Sequence, residues 1–100
     1  MSYFLYKLLP PRPTFAKDMT ADEAKIMQVH GAYWKTLVDE GKVVIVGPVI
    51  DGQGGWGLAI VEAESEAEVR AIGDKDPAVT SKHGLKFEVY PMLRAMLRKA

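Results

Sequence analysis

The chain contains no cysteine, which excludes disulfides, thiolate metal sites and a cysteine nucleophile. It has no surplus of either charge, with 13 Lys plus Arg against 13 Asp plus Glu. Nucleic-acid binding draws on a basic excess to displace counterions, so no nucleic-acid partner is expected. Long hydrophobic runs are absent too. The longest, VVIVGPVI from Val43 to Ile50, is far short of the ~20 residues that cross a bilayer. The apolar start MSYFLYKLLPP is interrupted by Lys7 and followed by no small-residue cleavage site, so it does not read as a signal peptide. No membrane partner is expected, and the expected location is cytoplasmic. Histidine is scarce: His30 and His83 stand alone, with no H-x-x-x-H or carboxylate spacing to support a metal site. Neither a metal nor a cofactor is expected.

What remains is the composition of one small globular domain. A length of 100 residues suffices for one domain and not two, and 48% hydrophobic with 26% charged residues argues against disorder. The reading is a single domain over 1–100, with 91–100 as a short C-terminal extension.

The residue pattern changes period along the chain. SYFLYKLL, residues 2–9, is aromatic and aliphatic and too short for a helix, so a strand is predicted. PPRPTFAKDM is a proline-rich connection, and its P-x-x-P spacing from Pro10 to Pro13 reads as a stiff loop. Thr20 and Glu23 form a capping box that opens a helix with apolar residues at Ile26, Met27, Tyr33, Trp34, Leu37 and Val38; Gly41 ends it. KVVIVGPVI is a second strand, DGQGG a turn and WGLAIVEA a third strand. Ser65 and Glu68 form a second capping box before a short helix near 66–74; the Asp76-Pro77 break and a fourth strand near 85–90, LKFEVY, follow. The tail PMLRAMLRKA, apolar at Met92, Leu93, Met96 and Leu97, reads as a helical turn packed on the body or on a partner.

Gly52, Gly54 and Gly57 spell G-x-G-x-x-G, the dinucleotide-binding fingerprint. That motif works between a strand and a helix, whose N-terminus holds the pyrophosphate. Here LAIVEA follows, β-branched and uncapped, so the glycines are read as turning a hairpin.

The order βαββαβ is that of a ferredoxin-like α+β fold. Its right-handed crossovers place both helices on one face of the sheet. Yet the strands are apolar on both faces: Val43, Ile45 and Val49 alternate with Val44, Val46 and Ile50, and Tyr3, Leu5 and Leu9 with Phe4, Tyr6 and Leu8. A sheet of this kind must be covered on both sides, and a homodimer through the sheet faces, a dimeric α+β barrel, is the simplest cover.

Among polar residues, His30 falls in the middle of the apolar stripe of the first long helix. It is either a structural histidine bonded to a backbone carbonyl or an acid/base group in a pocket. Asp76 before Pro77 is a common N-cap and N1 pair, and an Asn there would cap as well. The topology also brings the 74–78 break to the sheet edge where the first long helix starts, so Asp76 is a candidate partner for His30, although His30 lies about 15 Å along the helix from Thr20. Ser65 and Ser81 lack a nucleophile-elbow context. Arg12, Tyr33 and Trp56 are the candidate substrate-binding residues; their plainer readings are a solvated loop cation, a core aromatic and a hairpin flank.

The pattern His30-x-x-Tyr33-x-x-x-Leu37, Gly41, Gly47-Pro48, Trp56-Gly57 and Asp76-Pro77, ending in FEVYPM, resembles the YciI-like (YCII-related) family from residue 2 to about 92. The resemblance implies a ferredoxin-like dimeric α+β barrel and a His–Asp active site, here matched by His30 and Asp76. One type of member is a dehydrochlorinase acting on a chlorinated hydroxyquinol, and most members have no assigned reaction. Many members carry a glycine about five residues after the DP proline, where this chain has Lys82, with His83 and Gly84 following. The expected function is that of a small-molecule enzyme of lyase or isomerase type, performing proton transfer or elimination without a cofactor. The alternatives are a non-catalytic ligand-binding or accessory dimeric domain, and an interaction module whose dimer is itself the function.

Overall fold

The computed structural model describes residues 1–99. Along the chain run β1 (Ser2–Leu9), α1 (Phe15–Asp18), α2 (Ala21–Asp39), β2 (Val43–Asp51), β3 (Gly54–Ala63), α3 (Glu66–Asp74), α4 (Pro77–Thr80) and β4 (Lys86–Pro91). The strands form one sheet in the order β2-β3-β1-β4, every neighbouring pair antiparallel. This is a small ferredoxin-like α+β domain with a four-stranded sheet and, among the described residues, four helices.

Period-2 alternation decides which face of the sheet is buried. Phe4, Tyr6 and Leu8 of β1 and Ala59, Val61 and Ala63 of β3 turn to the helices, where Trp34 and Leu37 of α2 and Val69 of α3 complete the core. The long helix has its full capping box: Thr20 Oγ1 accepts from the Glu23 N–H, and Glu23 Oε1 from the Thr20 N–H. It ends in a Schellman turn, with Gly41 at φ +80° and the Lys42 N–H reaching back to the Leu37 carbonyl. At α3 the box is half made: Ser65 accepts from the Glu68 N–H, but the Glu68 carboxylate turns to the Glu64 N–H.

Three expectations are corrected. The strict alternation of β2 fails, because the ladder shifts register between Val43 and Ile45. Val43 and Val46 therefore both face the helices, while Val44 and Ile45 are both exposed. The proline-rich connection contains a helical turn, α1, anchored by the buried Phe15. The C-terminal segment is not helical: residues 92–99 continue from β4 without regular structure, with Leu93 and Met96 almost fully exposed. A short segment with no surface to pack on cannot repay the cost of nucleating a helix. Ala100 lies outside the described residues.

The face of the sheet away from the helices carries Leu5, Ile45, Val49, Leu58 and Ile60, none of them buried within the chain. No helix among the described residues is long and apolar enough to cross a membrane.

Candidate active site

The site forms where the α3–α4 junction crosses the middle of α2. Asp76 is the N-cap of α4: Pro77 occupies N1, where its missing N–H is no loss, and the Ala78 N–H donates to Asp76 Oδ1 at 2.9 Å. The cap residue is fully buried. His30 Nδ1 lies 2.8 Å from the same Oδ1, and Oδ2 accepts from the Tyr6 hydroxyl and the Trp34 indole N–H, each at 2.9 Å.

The Tyr6 hydroxyl, the Trp34 indole and the Ala78 amide all donate to the carboxylate, which favours its ionised form. Burial alone pushes the Asp76 carboxyl up, but the hydrogen bond and charge of His30, the Trp34 N–H and the Ala78 amide outweigh it and hold the group below its ordinary value. An ionised carboxylate can only accept, so His30 Nδ1 carries a proton. In the neutral imidazole the free lone pair is then on Nε2. No buried side-chain nitrogen or oxygen among the described residues lacks a partner. Nε2 makes no hydrogen bond among those residues, so it reaches accessible space. Burial, with the charge of Asp76 and the hydrogen bond to it, pushes the Tyr6 hydroxyl well above its ordinary value and keeps it a donor.

His30 lines a cavity of about 460 Å³ between α2, the 10–19 segment and the hairpin end of β2 and β3. Phe15, Met19, Met27, Trp34 and Leu85 give it an apolar wall, and Tyr6 and His30 are its ionisable lining side chains. Gly55 and Gly57 of GQGGWG share strand parity with Ala59 and line the cavity, and an added Cβ would press on the Val49 carbonyl at 2.9 Å or the Leu8 side chain at 3.1 Å. At Gly54, φ is +133° and an added Cβ would overlap the Pro13 carbonyl, so only glycine fits.

The YCII-related domain model matches residues 4–93. The chain belongs to the YCII-related domain family. No curated protein matches it significantly. Among solved structures, the chain is similar to 5-chloro-2-hydroxyhydroquinone dehydrochlorinase from Burkholderia phenoliruptrix, solved in complex with 2,5-dihydroxybenzoquinone. Identity is 19%, the TM-score is 0.51, and the match covers 88% of this chain and 91% of that one. At that identity the likeness is one of fold.

In this YCII-related domain the sequence-derived candidates fall into separate places. His30 and Asp76 are hydrogen-bonded partners. Trp56 borders the cavity, but strand parity puts its indole on the face away from the helices, where Lys7 Nζ lies 4.8 Å from the ring centre. Tyr33 does not line the cavity; its hydroxyl donates to the Ile72 carbonyl at 2.7 Å and ties α2 to α3. Arg12 is consumed by carboxylates, with its guanidinium on Asp18 at 2.9 Å and on both oxygens of Glu23 at 2.7 and 2.9 Å. Tyr6 and Trp34, which hold the second oxygen of Asp76, carry no sequence signal apart from their place in the core pattern.

Proposed function

We propose that the chain is a small-molecule enzyme performing proton transfer or elimination without a cofactor, with His30 Nε2 as the acid/base group and Asp76 as the residue that orients it. The observation that carries this reading is the 2.8 Å contact from His30 Nδ1 to a fully buried carboxylate, on a side chain that also lines an apolar cavity. The pair fixes the tautomer with its basic lone pair outward, the arrangement a general base needs. The activity named for the similar dehydrochlorinase supports hydroxylated aromatic rings as the first substrates to try.

In the proposed step, neutral Nε2 takes a proton from an acidified carbon or hydroxyl of the substrate. In an elimination the electrons of the broken bond form the new double bond, and the leaving group departs with its own pair. The imidazolium then returns its proton to solvent. Asp76 stays ionised throughout and stabilises the imidazolium that forms.

Turnover of hydroxylated and halogenated aromatics and lactones, with 2,5-dihydroxybenzoquinone as a binding probe, tests this. A turned-over compound should lose about 10²–10⁴-fold in kcat on His30→Gln while its binding changes little. Compounds that bind and are never transformed, or turnover unaffected by His30→Gln, would instead support a non-catalytic binding domain.

The open sheet face belongs to the same proposal. A second copy packed sheet to sheet would cover Leu5, Leu58 and Ile60, which a lone chain leaves partly in water. Sedimentation at micromolar concentration should give twice the 11.0 kDa chain mass. A single-chain mass would remove this part of the reading.

A further inference from the structure

One wall of the His30 cavity is built from a segment with little stability of its own. Pro10, Pro13, Phe15, Ala16 and Met19 all line it. The only regular structure they contain is α1, a single turn whose N-cap side chain, Thr14, makes no capping bond to the backbone. A turn of that length does not persist unaided. Three devices hold it: Phe15 is buried in the core, Pro13 rests on Gly54 and Pro11 on Gly84, and Arg12 ties the strap to α2.

The Arg12 tie is the one made of directional bonds. Its guanidinium grips Glu23 with both terminal nitrogens, and it donates to the Asp18 carboxylate and carbonyl at 2.9 and 3.0 Å. Thr14 Oγ1 donates to the other Asp18 oxygen at 2.6 Å. Glu23 is buried and is the N3 residue of the α2 capping box, so the strap is fastened to the start of the helix that carries His30. The Arg12 guanidinium also lies 5.4 Å from the Phe15 ring centre, which links the tie directly to the cavity wall. A bidentate arginine–carboxylate pair is the geometry in which an ion pair fixes position rather than merely adding charge.

We propose that Arg12 is a positioning residue: by latching the 10–19 strap to Glu23 it holds the outer wall of the cavity closed and so controls access to His30 Nε2. Arg12 is not among the residues that line the cavity; it acts through Phe15 and Met19, which are. The claim builds on the reading of His30 as the working group, but it concerns access only and is tested without any substrate.

Diethylpyrocarbonate acylates accessible, unprotonated imidazole nitrogens, and the chain has two histidines, His30 and His83. His83 is exposed and takes no part in the Arg12 hydrogen bonds, so it serves as the internal reference. Peptide mass spectrometry of the intact folded protein gives the two rates separately. Arg12→Met should raise the His30 rate about fivefold or more relative to His83, as expected when a local opening becomes easier. Glu23→Gln, which still serves the capping box but loses the ion pair, should raise it in the same direction by less. That second variant carries the test if Arg12→Met does not fold. An unchanged His30-to-His83 ratio in the folded variants overturns the proposal, and so does equal acceleration of both histidines, which reports general loosening. Loss of turnover in His30→Gln with no change in these rates would leave the acid/base reading intact and remove the latch alone.

Discussion

His30 and Trp34, one turn apart on α2, take opposite oxygens of the same carboxylate: His30 Nδ1 on Asp76 Oδ1 at 2.8 Å, Trp34 Nε1 on Oδ2 at 2.9 Å. Residues at i and i+4 lie on one helix face, so a single carboxylate set against that face meets both. Tyr6 from β1 and the Ala78 amide from α4 close the ring of donors. Asp76 is therefore a joint between helix, sheet and loop as well as the partner of the candidate base.

Asp76→Asn reads as mild from the sequence, since Asn caps a helix about as well as Asp. The buried donors around Asp76 reverse that expectation. An amide brings its own N–H₂ group against donors, leaving at least one buried donor unpaired. We expect a loss of ~2–4 kcal/mol in unfolding free energy, from the unpaired group and the lost charge-assisted bonds. Urea titration measures it, and a loss under ~0.5 kcal/mol would mean that the network carries little of the fold's stability.

Acid should destabilise the protein through the same residue. The folded-state pKa of Asp76 lies below its ordinary value despite the opposing effect of burial. Its contribution is thus fully present above the unfolded pKa near ~4 and is lost as pH falls through the folded pKa. Glu23 behaves alike: hydrogen bonds from the Arg12 guanidinium and the Thr20 N–H hold its carboxyl down at about 2. Unfolding free energy should fall steeply below roughly pH 4, and Asp76→Asn should flatten that limb. Parallel acid limbs for the two proteins would contradict the assignment.

Gly73 presents two opposed effects. Alanine in place of a helical glycine gains about 1 kcal/mol in propensity. A Cβ there would stand 2.7 Å from the Phe87 ring and 2.8 Å from the Tyr6 ring, both packed in the core. Those rings are stacked with centroids 5.1 Å apart, so neither yields without moving the other. Overpacking of this kind costs about 1–3 kcal/mol, and Gly73→Ala should be net destabilising. Thermal melts of the variant decide it; a raised Tm would show that the rings give way easily.

The parts legible in the sequence are those written in local periodicity and caps. Phe4, Tyr6 and Leu8 alternate cleanly, Thr20 and Glu23 announce their helix, and Gly41 ends it. Where a local rule was broken by a longer-range one, the sequence misled. The bulge after Val43 is invisible to a period-2 count, α1 hides among prolines because Phe15 is held by the core, and the basic-apolar tail has the pattern of a helix without a surface to form on. Lys82 holds a left-handed backbone, at φ +62°, that glycine adopts freely. The about 15 Å from Thr20 to His30 was the weak point in pairing Asp76 with it from the sequence. It is spanned because α4 packs against the middle of α2 rather than its start, a tertiary fact with no local signature.

The central claim is that His30 donates from Nδ1 to Asp76 and presents Nε2 to the cavity. Long-range nitrogen–proton correlation NMR of the neutral imidazole reads the tautomer directly. Wild-type His30 should show a protonated Nδ1 and a bare Nε2, the reverse of the tautomer that free histidine favours. A His30 with its proton on Nε2 would contradict it, because no ionised carboxylate could then be accepting from Nδ1.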